Sequence, residues 1–447
     1  MYINETYAKK WAPVLDHPEL PAISDPYKRA VTALVLENQE RALQEESRSM
    51  QNLWETAPAN AMGTAGISGL SGATNSGVTG FDPVLIGLVR RALPNLMAYD
   101  ICGVQPMTGP TGLIFAMRSV YASSSARAGE ALFQEANNAH SGNGTMTAFS
   151  STVNPGSNNA NVYGLANTGY GFTTAYAEDA TLAYMGFQID RVAVTANSRG
   201  LQAAYTLELA QDLKAVHGLD AETELTNILS TEILAEINRE VVRTIYATAN
   251  VGITGVSSNV VNLSSAVIGD ATGGTSGRWQ VEKYKSLLFR IEQAANKIAK
   301  DTRRGKGNML IVSTDVASAL AMTGLLDYNS ALTNNTNLMV DDTGNTFAGV
   351  LFGRIKVYVD PYSVAGADYV VVGYKGQTPY DAGLFYCPYV PLQMVRAVDP
   401  TTYQPKVGFK TRYGLVANPF ATAAGTGALS NGTNVYYRKF EVLNINQ

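Results

Sequence analysis

The chain has 447 residues, of which 46% are hydrophobic and only 16% are charged, and its formal net charge is −4. This length predicts two to four domains, and the shortage of charge predicts a surface largely covered by contacts between subunits. A dedicated nucleic-acid-binding protein is disfavoured, since such proteins usually carry a basic domain. Because no signal peptide and no run of about 20 apolar residues is found, we expect a soluble protein made inside the cell, without a membrane partner.

Residues 1–55 form a charged region, which we name the acidic segment. It holds six basic and nine acidic residues and so contributes −3 of the net charge of −4. Residues 27–54 are predicted to form one helix, because apolar residues recur on one face at helical spacing: Tyr27, Val31, Leu34 and Val35. The second half of this helix is polar nearly all round, which is typical of a linker or a partner-binding element.

The next stretch, residues 56–80, contains almost only small residues and no charge, so a flexible arm is predicted. Residues 81–118 predict a short helix followed by a strand in "GLIFAMRSVYA". Because residues 122–186 are rich in Gly, Asn and Ser, we expect a long two-stranded excursion with a loose tip.

A helical block is predicted next. Residues 198–218 predict a helix that ends at His217 and Gly218, a basic last turn followed by a glycine cap. The longest predicted helix, at 219–248, carries an apolar residue at every fourth position: Leu225, Leu229, Ile233, Ile237, Val241 and Ile245. Further apolar residues lie on its other faces, so it must be covered on more than one side: Ile228, Leu234 and Val242. Two weak ion pairs are predicted along it: Glu236–Arg239 and Glu240–Arg243.

The second half of the chain is predicted to mix helices and strands. Helices are expected at 279–305 and 314–323, with a strand at 308–313 between them. Strands are expected in "VLFGRIKVYVD", "DYVVVGYK" and "NVYYRKFEVLNI". Residues 383–420 alternate apolar and polar positions with prolines at the turns, which is also typical of strands.

No motif for a cofactor, a metal ion or covalent catalysis is found. Cys102 and Cys387 fit no metal-ligand spacing, and we expect both to be small buried hydrophobes, with a disulfide left open. The basic run "RRGKG" at 303–307 lacks the glycine and the Ser or Thr of a phosphate-binding loop and is interpreted as a helix end. The acidic run "VDDTGN" at 340–345 lacks the spaced ligands of a calcium loop and is interpreted as a solvated turn.

Three histidines are available for acid–base chemistry: His17, His140 and His217. None is near a plausible nucleophile in the sequence, so no cofactor, metal or enzymatic activity is predicted. The alternative from another class is an enzyme whose site forms between subunits from Asp100, Cys102 and His217.

The most specific signal is a set of stretches in a fixed order: "RRALPNL", "DICGVQPM", "PTGLIFAMR", "MGFQIDRVAVTANSRGLQ" continuing to "EINREVV", "FAGVLFGRIKVYVDPY", "VGYKGQTPYDAGLFYCPYVPL" and "QPKVGFKTRYGLVANPF". Together they resemble the major capsid protein family of T-even-type contractile-tailed phages. The resemblance covers most of 81–420 with order and spacing kept. It departs from the family at 122–186, where the prototype carries a longer, charged insertion domain.

The resemblance implies the Hong Kong ninety-seven type tailed-phage capsid fold, of class α+β. In its first half it implies a helical propeptide removed at maturation at 1–55, a flexible N-arm at 56–80, a helix and strand at 81–118, and the extended loop with a reduced insertion at 119–190. It then implies a peripheral domain with its spine helix at 191–250, an axial domain at 251–380, and return strands at 381–447.

The implied function is that of a major capsid protein, which assembles as hexamers into an icosahedral or prolate head around double-stranded DNA. The implied partners are further copies, the prohead scaffold and protease, the vertex and portal proteins, a chaperonin and, non-specifically, the packaged DNA. The implied location is the host cytoplasm during assembly and then the virion capsid. A paralogous vertex protein that forms pentamers is the alternative.

The resemblance also implies a maturation cut, since the family's protease cleaves after Glu in a Leu/Ile-x-Glu context. Leu53-Trp54-Glu55, just before Thr56, fits this context. The motif is weak and recurs elsewhere: Ile3-Asn4-Glu5, Leu43-Gln44-Glu45 and Leu234-Ala235-Glu236. Only a cut after Glu55 removes the whole acidic segment and frees the whole arm. It leaves 27 basic and 28 acidic residues, a nearly neutral lining along which DNA could slide.

Five arginines are candidates for contacts between subunits: Arg90, Arg91, Arg118, Arg303 and Arg304. For the two in "RRALPNL", contacts with carboxylates of a neighbouring copy are expected, with a solvated basic turn as an equal alternative. The Gly/Pro run that follows Cys102 is expected to be a joint that reverses the chain into the extended loop.

Overall fold

The structure, a computed structural model, describes residues 5–16, 23, 25–54, 90, 96–123, 126–132, 136–144, 169–178, 182–252, 260–263, 279–327, 347–363, 366, 368–378, 380–399, 401, 404–421 and 427–445. For 5–6, 43–54, 122–123 and 126–130 it describes the backbone only. The chain divides into two compact units. Unit 1 comprises Met1–Ile114, Val192–Asp301 and Gly305–Gln447, and unit 2 comprises Phe115–Arg191 and Thr302–Arg304.

The acidic segment contains three helices, α1 Glu5–Lys10, α2 Ala12–Leu15 and α3 Pro26–Trp54. The helices described in the rest of the chain are α4 Met97–Ile101, α5 Thr174–Ala177, α6 Leu207–His217, α7 Ala221–Thr248, α8 Gln280–Thr302 and α9 Thr314–Met322. Helices α3 and α7 occupy the predicted ranges 27–54 and 219–248 to within two residues.

The described strands are β1 Gly103–Val104, β2 Thr111–Ser123, β3 Ala126–Glu130, β4 Met185–Thr195, β5 Asn197–Ala204, β6 Ala249–Val251, β7 Val260–Asn262, β8 Met309–Ser313, β9 Leu326–Asp327, β10 Phe347–Leu351, β11 Ile355–Asp360, β12 Asp368–Gly373, β13 Leu384–Val398, β14 Pro405–Ala417 and β15 Asn434–Leu443. One sheet has the order β1-β13-β14-β5. A larger sheet has the order β6-β15-β12-β8-β11-β10-β9, and β7 also pairs with β15. The described elements confirm the expected α+β class.

Strand β8 lies inside the larger sheet, parallel to β11 and antiparallel to β12. All five of its residues are buried, as expected for a strand with both faces covered. Leu310 and Val312 pack with Leu287 and Ile291 of α8. Ile311 joins the other core, which contains the apolar side chains of α7. The larger sheet therefore separates two cores of unit 1.

The prediction of a helix at 198–218 is wrong for residues 198–206. Residues 197–204 form β5, and α6 begins only at Leu207. Strand β5 pairs with β14 along its whole length, from Asn197 opposite Tyr413 to Ala204 opposite Lys406. This ladder outweighs the local helical preference, because strand formation depends strongly on cross-strand partners. The predicted end is correct, since Gly218 caps α6 with a φ of 69°.

The stretch "VLFGRIKVYVD", expected as a strand, folds as a hairpin of β10 and β11. Its turn contains Phe352 and Gly353, whose φ angles are 55° and 64°. Two successive residues with positive φ give the turn geometry that matches the twist of paired strands. The turn was missed because Phe rarely adopts a positive φ.

Unit 2 contains α5 and most of a three-stranded sheet in the order β3-β2-β4. The long strands of the expected excursion, β2 and β4, lie at its two ends. Between them, the described residues form the short β3 and α5. The two long strands thus lie largely before and after 122–186, and the two-stranded excursion expected there stays a prediction, because 145–168 lie outside the described residues.

Candidate functional site

Among the residues that the structure describes, no group of three or more His, Cys, Asp or Glu side chains is placed to hold a metal ion. Within the same part of the chain, no helix is both long and apolar enough to cross a membrane. The acidic run at 340–345 lies outside the described residues.

The basic run at 303–307 begins where α8 ends. Lys306 pairs with the carboxylate of Glu292. Gly305 lies against Tyr374 so closely that a Cβ at this position would be 2.3 Å from the ring. The lysine is engaged in an ion pair and the glycine in close packing, which is the arrangement of a packed helix end.

The residues of the rival enzymatic hypothesis are poorly suited to catalysis. Cys102 is fully buried, and burial raises the pKa of its thiol to about 12, so it stays protonated at neutral pH. A buried thiol is a poor nucleophile, because the thiolate is the reactive form. Asp100 pairs with Lys28 at 2.8 Å, and His217 is exposed at the end of α6. Cys387 is likewise a buried free thiol.

Helix α7 contains the predicted core residues of the spine. Five of the six are buried: Leu229, Ile233, Ile237, Val241 and Ile245. Leu225 is only half-buried, and Ile228, expected to need cover as well, is 62% exposed. Both lie in the first third of the helix. Cover on several sides therefore begins only about two turns into the helix.

The ion pairs expected along α7 are replaced by longer-range ones. Arg199 of β5 contacts both Glu236 and Glu240, at 3.1 and 2.8 Å. Arg239 donates from Nη1 to both carboxylate oxygens of Asp360 in β11, at 2.6 and 2.7 Å. These contacts join the helix to both sheets of unit 1. Spacing along a helix could not identify them, because the partners are far apart in sequence.

The acidic segment packs into the core of unit 1. Six consecutive residues of α3, 31–36, are buried, so this part of the helix is covered all round. Its apolar side chains belong to the same cluster as those of α4, β1 and α7. From within the segment, Trp11 and Leu15 join this cluster at 4% and 3% exposure. The first half of α3 is therefore a core element, and the linker or partner-binding character of its second half stays a prediction, because the side chains of 43–54 are not described.

Three polar side chains of α3 also bond to the rest of unit 1. The Tyr27 hydroxyl donates to the carbonyl oxygen of Val104. Lys28 forms the ion pair with Asp100. The buried Asn38 amide donates to the carbonyl oxygens of Met107 and Tyr389, at 2.8 and 3.2 Å. We name the surface formed by Asp100, Val104, Met107 and Tyr389 the docking surface.

Arg90, a candidate for contacts between subunits, is engaged within its own chain. It is 1% exposed, and its Nη2 donates to the carbonyl oxygen of Leu15 at 2.8 Å. Burial, reinforced by the nearby Arg29, lowers the pKa of its guanidinium. The expected contact of Arg90 with a carboxylate of a neighbouring copy stays a prediction. Arg91 lies outside the described residues.

The other three candidate arginines lie in unit 2. Arg118 of β2 approaches Asp190 of β4 at 3.4 Å within the same sheet. Arg303, with a φ of 55°, is exposed, and Arg304 is half-buried. Contacts of these arginines with another copy stay a prediction. The cleavage residues Glu55 and Thr56 lie outside the described residues, as does the side chain of Leu53.

The sheet of unit 2 exposes one apolar face. Strand β2 contributes Phe115 and Met117, at 56% and 64% exposure, and β4 contributes Met185, Phe187 and Ile189, at 57%, 76% and 65%. Residues between these positions, including the Arg118–Asp190 pair, are half-buried. Apolar and polar residues thus alternate with the apolar side outward, the reverse of the usual arrangement in a half-buried sheet. Sequence reasoning missed this face, although the alternation in "MGFQID" is visible.

Helix α6 in unit 1 shows a similar exposure. None of its residues is buried, and Leu207, Leu209 and Val216 are 56%, 50% and 74% exposed. Exposed apolar patches of this kind mark surfaces that bind other proteins.

Comparison with known proteins gives a consistent result. A family model described as "Major capsid protein Gp23" matches residues 78–442. The major capsid protein of Salmonella phage ViI is 40% identical over 98% of this chain and 97% of its own length, and that of Enterobacteria phage T4 is 36% identical over 98% of each. The capsid vertex protein of phage T4 is 29% identical over 55% of this chain and 56% of its own length. Among solved structures, the capsid of Myoviridae phage XM1 aligns with a TM-score of 0.38 and 10% identity over 76% of this chain and 90% of that one.

Proposed function

The chain belongs to the family of the phage major capsid protein Gp23, and on that premise we propose that it assembles as hexamers into the shell of a DNA-filled phage head. Its α+β fold is consistent with the Hong Kong ninety-seven type of capsid fold. Identities of 36–40% over nearly the whole chain favour the major capsid protein over the vertex protein, which matches about half of the chain at 29%.

The apolar face of unit 2 is the observation that carries the proposed assembly. Five large apolar side chains point to solvent on two neighbouring strands, and each is more than half exposed. Burying apolar area against another surface is the main favourable term in most protein association. We infer that this sheet is the extended loop and that it lies across a neighbouring copy. The exposed α6 supports a second contact between copies.

Light scattering coupled to size exclusion tests the assembly directly. The full chain, produced together with a chaperonin, is expected to elute as hexamers or as particles of several megadaltons. A stable monomer or dimer at micromolar concentration would contradict the proposed function. Pentamers in place of hexamers would favour the vertex role.

The acidic segment is proposed to be removed by the prohead protease after Glu55. Support comes from the position of Leu53-Trp54-Glu55, at the boundary between the acidic segment and the uncharged residues 56–80. The cut leaves 27 basic and 28 acidic residues, so the lining of the shell would hold packaged DNA only weakly and without sequence specificity.

The remaining partners follow from the proposed place of the chain in a phage head. They are the scaffold on which hexamers form, the vertex and portal proteins, and a chaperonin that assists folding. Assembly would take place in the host cytoplasm before the protein becomes part of the virion. A structural role needs no catalytic group, and the protonated, buried Cys102 thiol is in keeping with that role.

A further inference from the structure

We propose that the acidic segment stays bound to unit 1 after the chain is cut at residue 55, so that cleavage and release are two separate steps. The proposal rests on the proposed processing and concerns what holds the cut segment in place. Its binding site is the docking surface together with Arg90, and its ligand is the acidic segment of the same chain, held by residues within 11–16 and 25–38.

The first argument is the distance between the anchors and the cut. The anchoring contacts described above lie between Trp11 and Asn38, whereas the cut follows Glu55. The helix continues for sixteen residues from Asn38 to Trp54, which at 1.5 Å each places the end of α3 about 24 Å beyond Asn38. A cut there removes no anchoring side chain. The contacts that hold the segment before the cut are therefore the contacts that hold it afterwards.

The second argument is the burial of apolar side chains on both partners. Val31, Val35 and Leu36 are at most 1% exposed in the docked segment. On the docking surface, Val104 is 1% exposed and belongs to the same apolar cluster as these three residues. Release of the segment would bring apolar groups of both partners into water at the same time. That loss opposes release in proportion to the area uncovered.

The third argument is the set of buried hydrogen bonds that release would break. Asn38 supplies hydrogen bonds to the carbonyl oxygens of Met107 and Tyr389, and Leu15 supplies the acceptor for Arg90. A buried polar group without a partner costs more than the hydrogen bond itself contributes, and the cost is larger for a charged group. Release therefore requires water or another surface to reach Arg90 and the docking surface.

Together these points describe a segment that behaves as a tightly held peptide ligand. Cleavage breaks the covalent link to the rest of the chain, but the acidic segment still occupies its binding site. Release then depends on a change at the docking surface, which is built from α4, β1 and β13. A shell whose subunits change conformation after cleavage would supply that change, and free subunits would not.

The test uses the full chain with the recognition sequence of a site-specific protease inserted between Glu55 and Thr56. After complete cleavage, the mixture is passed over a size-exclusion column, and the acidic segment is located by mass spectrometry. We expect it to co-elute with the rest of the chain. The emission of Trp11, in a chain with Trp54→Phe and Trp279→Phe, should stay at the wavelength of a buried indole, since Trp11 is 4% exposed.

Matched variants test whether the docking contacts are responsible. Val35→Asp places a carboxylate at a fully buried position and should raise the free fraction of the cut segment roughly tenfold or more. Arg41→Asp introduces the same side chain at an exposed position of the same helix and should leave retention unchanged. If Val35→Asp does not fold, Asn38→Ala, which removes only two hydrogen bonds, should give faster release than the unsubstituted chain.

The proposal is overturned if the cut segment of the unsubstituted chain elutes separately and Trp11 emission shifts to that of an exposed indole. It is also overturned if Val35→Asp and Arg41→Asp release the segment equally. Because the inserted site makes the cut, neither result depends on natural processing at Glu55. Failure of the capsid role would appear separately, as a chain that forms no hexamers or larger particles by light scattering.

Discussion

The acidic segment and the sheet of unit 2 differ in the exposure of their apolar side chains: the segment buries them, and the sheet exposes them to solvent. Residues 31–36 are buried within the copy, although the segment is proposed to be removed. Phe115 and Phe187 are 56% and 76% exposed, although the sheet is proposed to stay. Burial in a single copy therefore does not identify the surfaces that are covered in an assembly. A single copy has its own buried cores, but it also exposes apolar surface that contacts with other copies could bury.

The largest effect is expected in α7, the proposed spine helix, whose apolar side chains are buried within the copy. Ile237→Asp buries an unpaired carboxylate at a position that is 2% exposed, and it should prevent the chain from folding in soluble form. Circular dichroism and size exclusion measure the outcome. Ile228→Asp, on an exposed face of the same helix, is the control and should change the unfolding free energy by no more than about 0.5 kcal/mol. Normal particles from Ile237→Asp would contradict the placement of the spine.

The next largest effect is expected from a substitution that impairs assembly without impairing folding. Phe187→Asp, on the exposed apolar face of unit 2, should abolish hexamers and larger particles because a charge would enter the contact between copies. The unfolding free energy of the chain should change by less than about 0.5 kcal/mol. Light scattering and chemical denaturation give the two readouts. Gln188→Asp, at the neighbouring half-buried position, is the control, and equal loss of assembly in both variants would show that the apolar face is not the contact.

Processing should be separable from both folding and assembly. Glu55→Ala is expected to leave assembly intact and to block removal of the acidic segment when the chain is produced with the prohead protease. Intact mass spectrometry of the particles reads the outcome. Glu45→Ala, in the competing motif, should be processed normally. Removal of the segment at the same bond in Glu55→Ala would reject the assigned site.

A smaller effect compares buried and exposed anchors of the acidic segment. Asn38→Ala leaves two carbonyl oxygens without their donor and should lower the unfolding free energy of the uncut chain by about 1–3 kcal/mol. Lys28→Ala breaks a partly exposed ion pair and should cost no more than about 1 kcal/mol. Urea denaturation followed by Trp11 fluorescence measures both. Equal costs would mean that the docking surface is open to water.

The smallest effect concerns pH. Burial raises the pKa of Cys102 and of Cys387 from 9.0 to about 12, so the unfolded chain loses these protons at lower pH than the folded chain. Their contribution to stability is complete below pH 9 and is lost between pH 9 and about 12, on the order of 1 kcal/mol per thiol at pH 10. Urea denaturation at pH 8 and pH 10 should show a smaller loss in a Cys102→Ala, Cys387→Ala variant. An equal loss would contradict this origin.

Local patterns in the sequence were enough to place the long helices. The periodicity of Ile233, Ile237 and Val241 predicts α7, and Gly218 correctly predicts the end of α6. Strand β5 was predicted as helix, because its conformation is imposed by β14, about 200 residues further along the chain. Local propensity contains no information about such a partner.

The candidate site was harder to predict for the same reason. The face of α3 with Val31 and Val35 is apparent from sequence, but the carbonyl oxygens that Asn38 bonds are not, since any residue type supplies them. Arg90 was singled out for a contact with a neighbouring copy, which stays a prediction, and its bond to a backbone oxygen of the acidic segment was not foreseen. Sequence patterns indicate which side chains need partners but not which backbone groups provide them.

The contact between Arg239 and Asp360 has a mechanical consequence. The carboxylate of Asp360 is 4% exposed and receives both hydrogen bonds from the Arg239 Nη1, the Tyr362 amide at 3.0 Å and the Tyr369 hydroxyl. Arg239 lies near the middle of α7, and Asp360 is the last residue of β11. Bending of α7 at Arg239 is therefore coupled through the Asp360 carboxylate to the end of β11 and, through the Tyr369 hydroxyl, to β12.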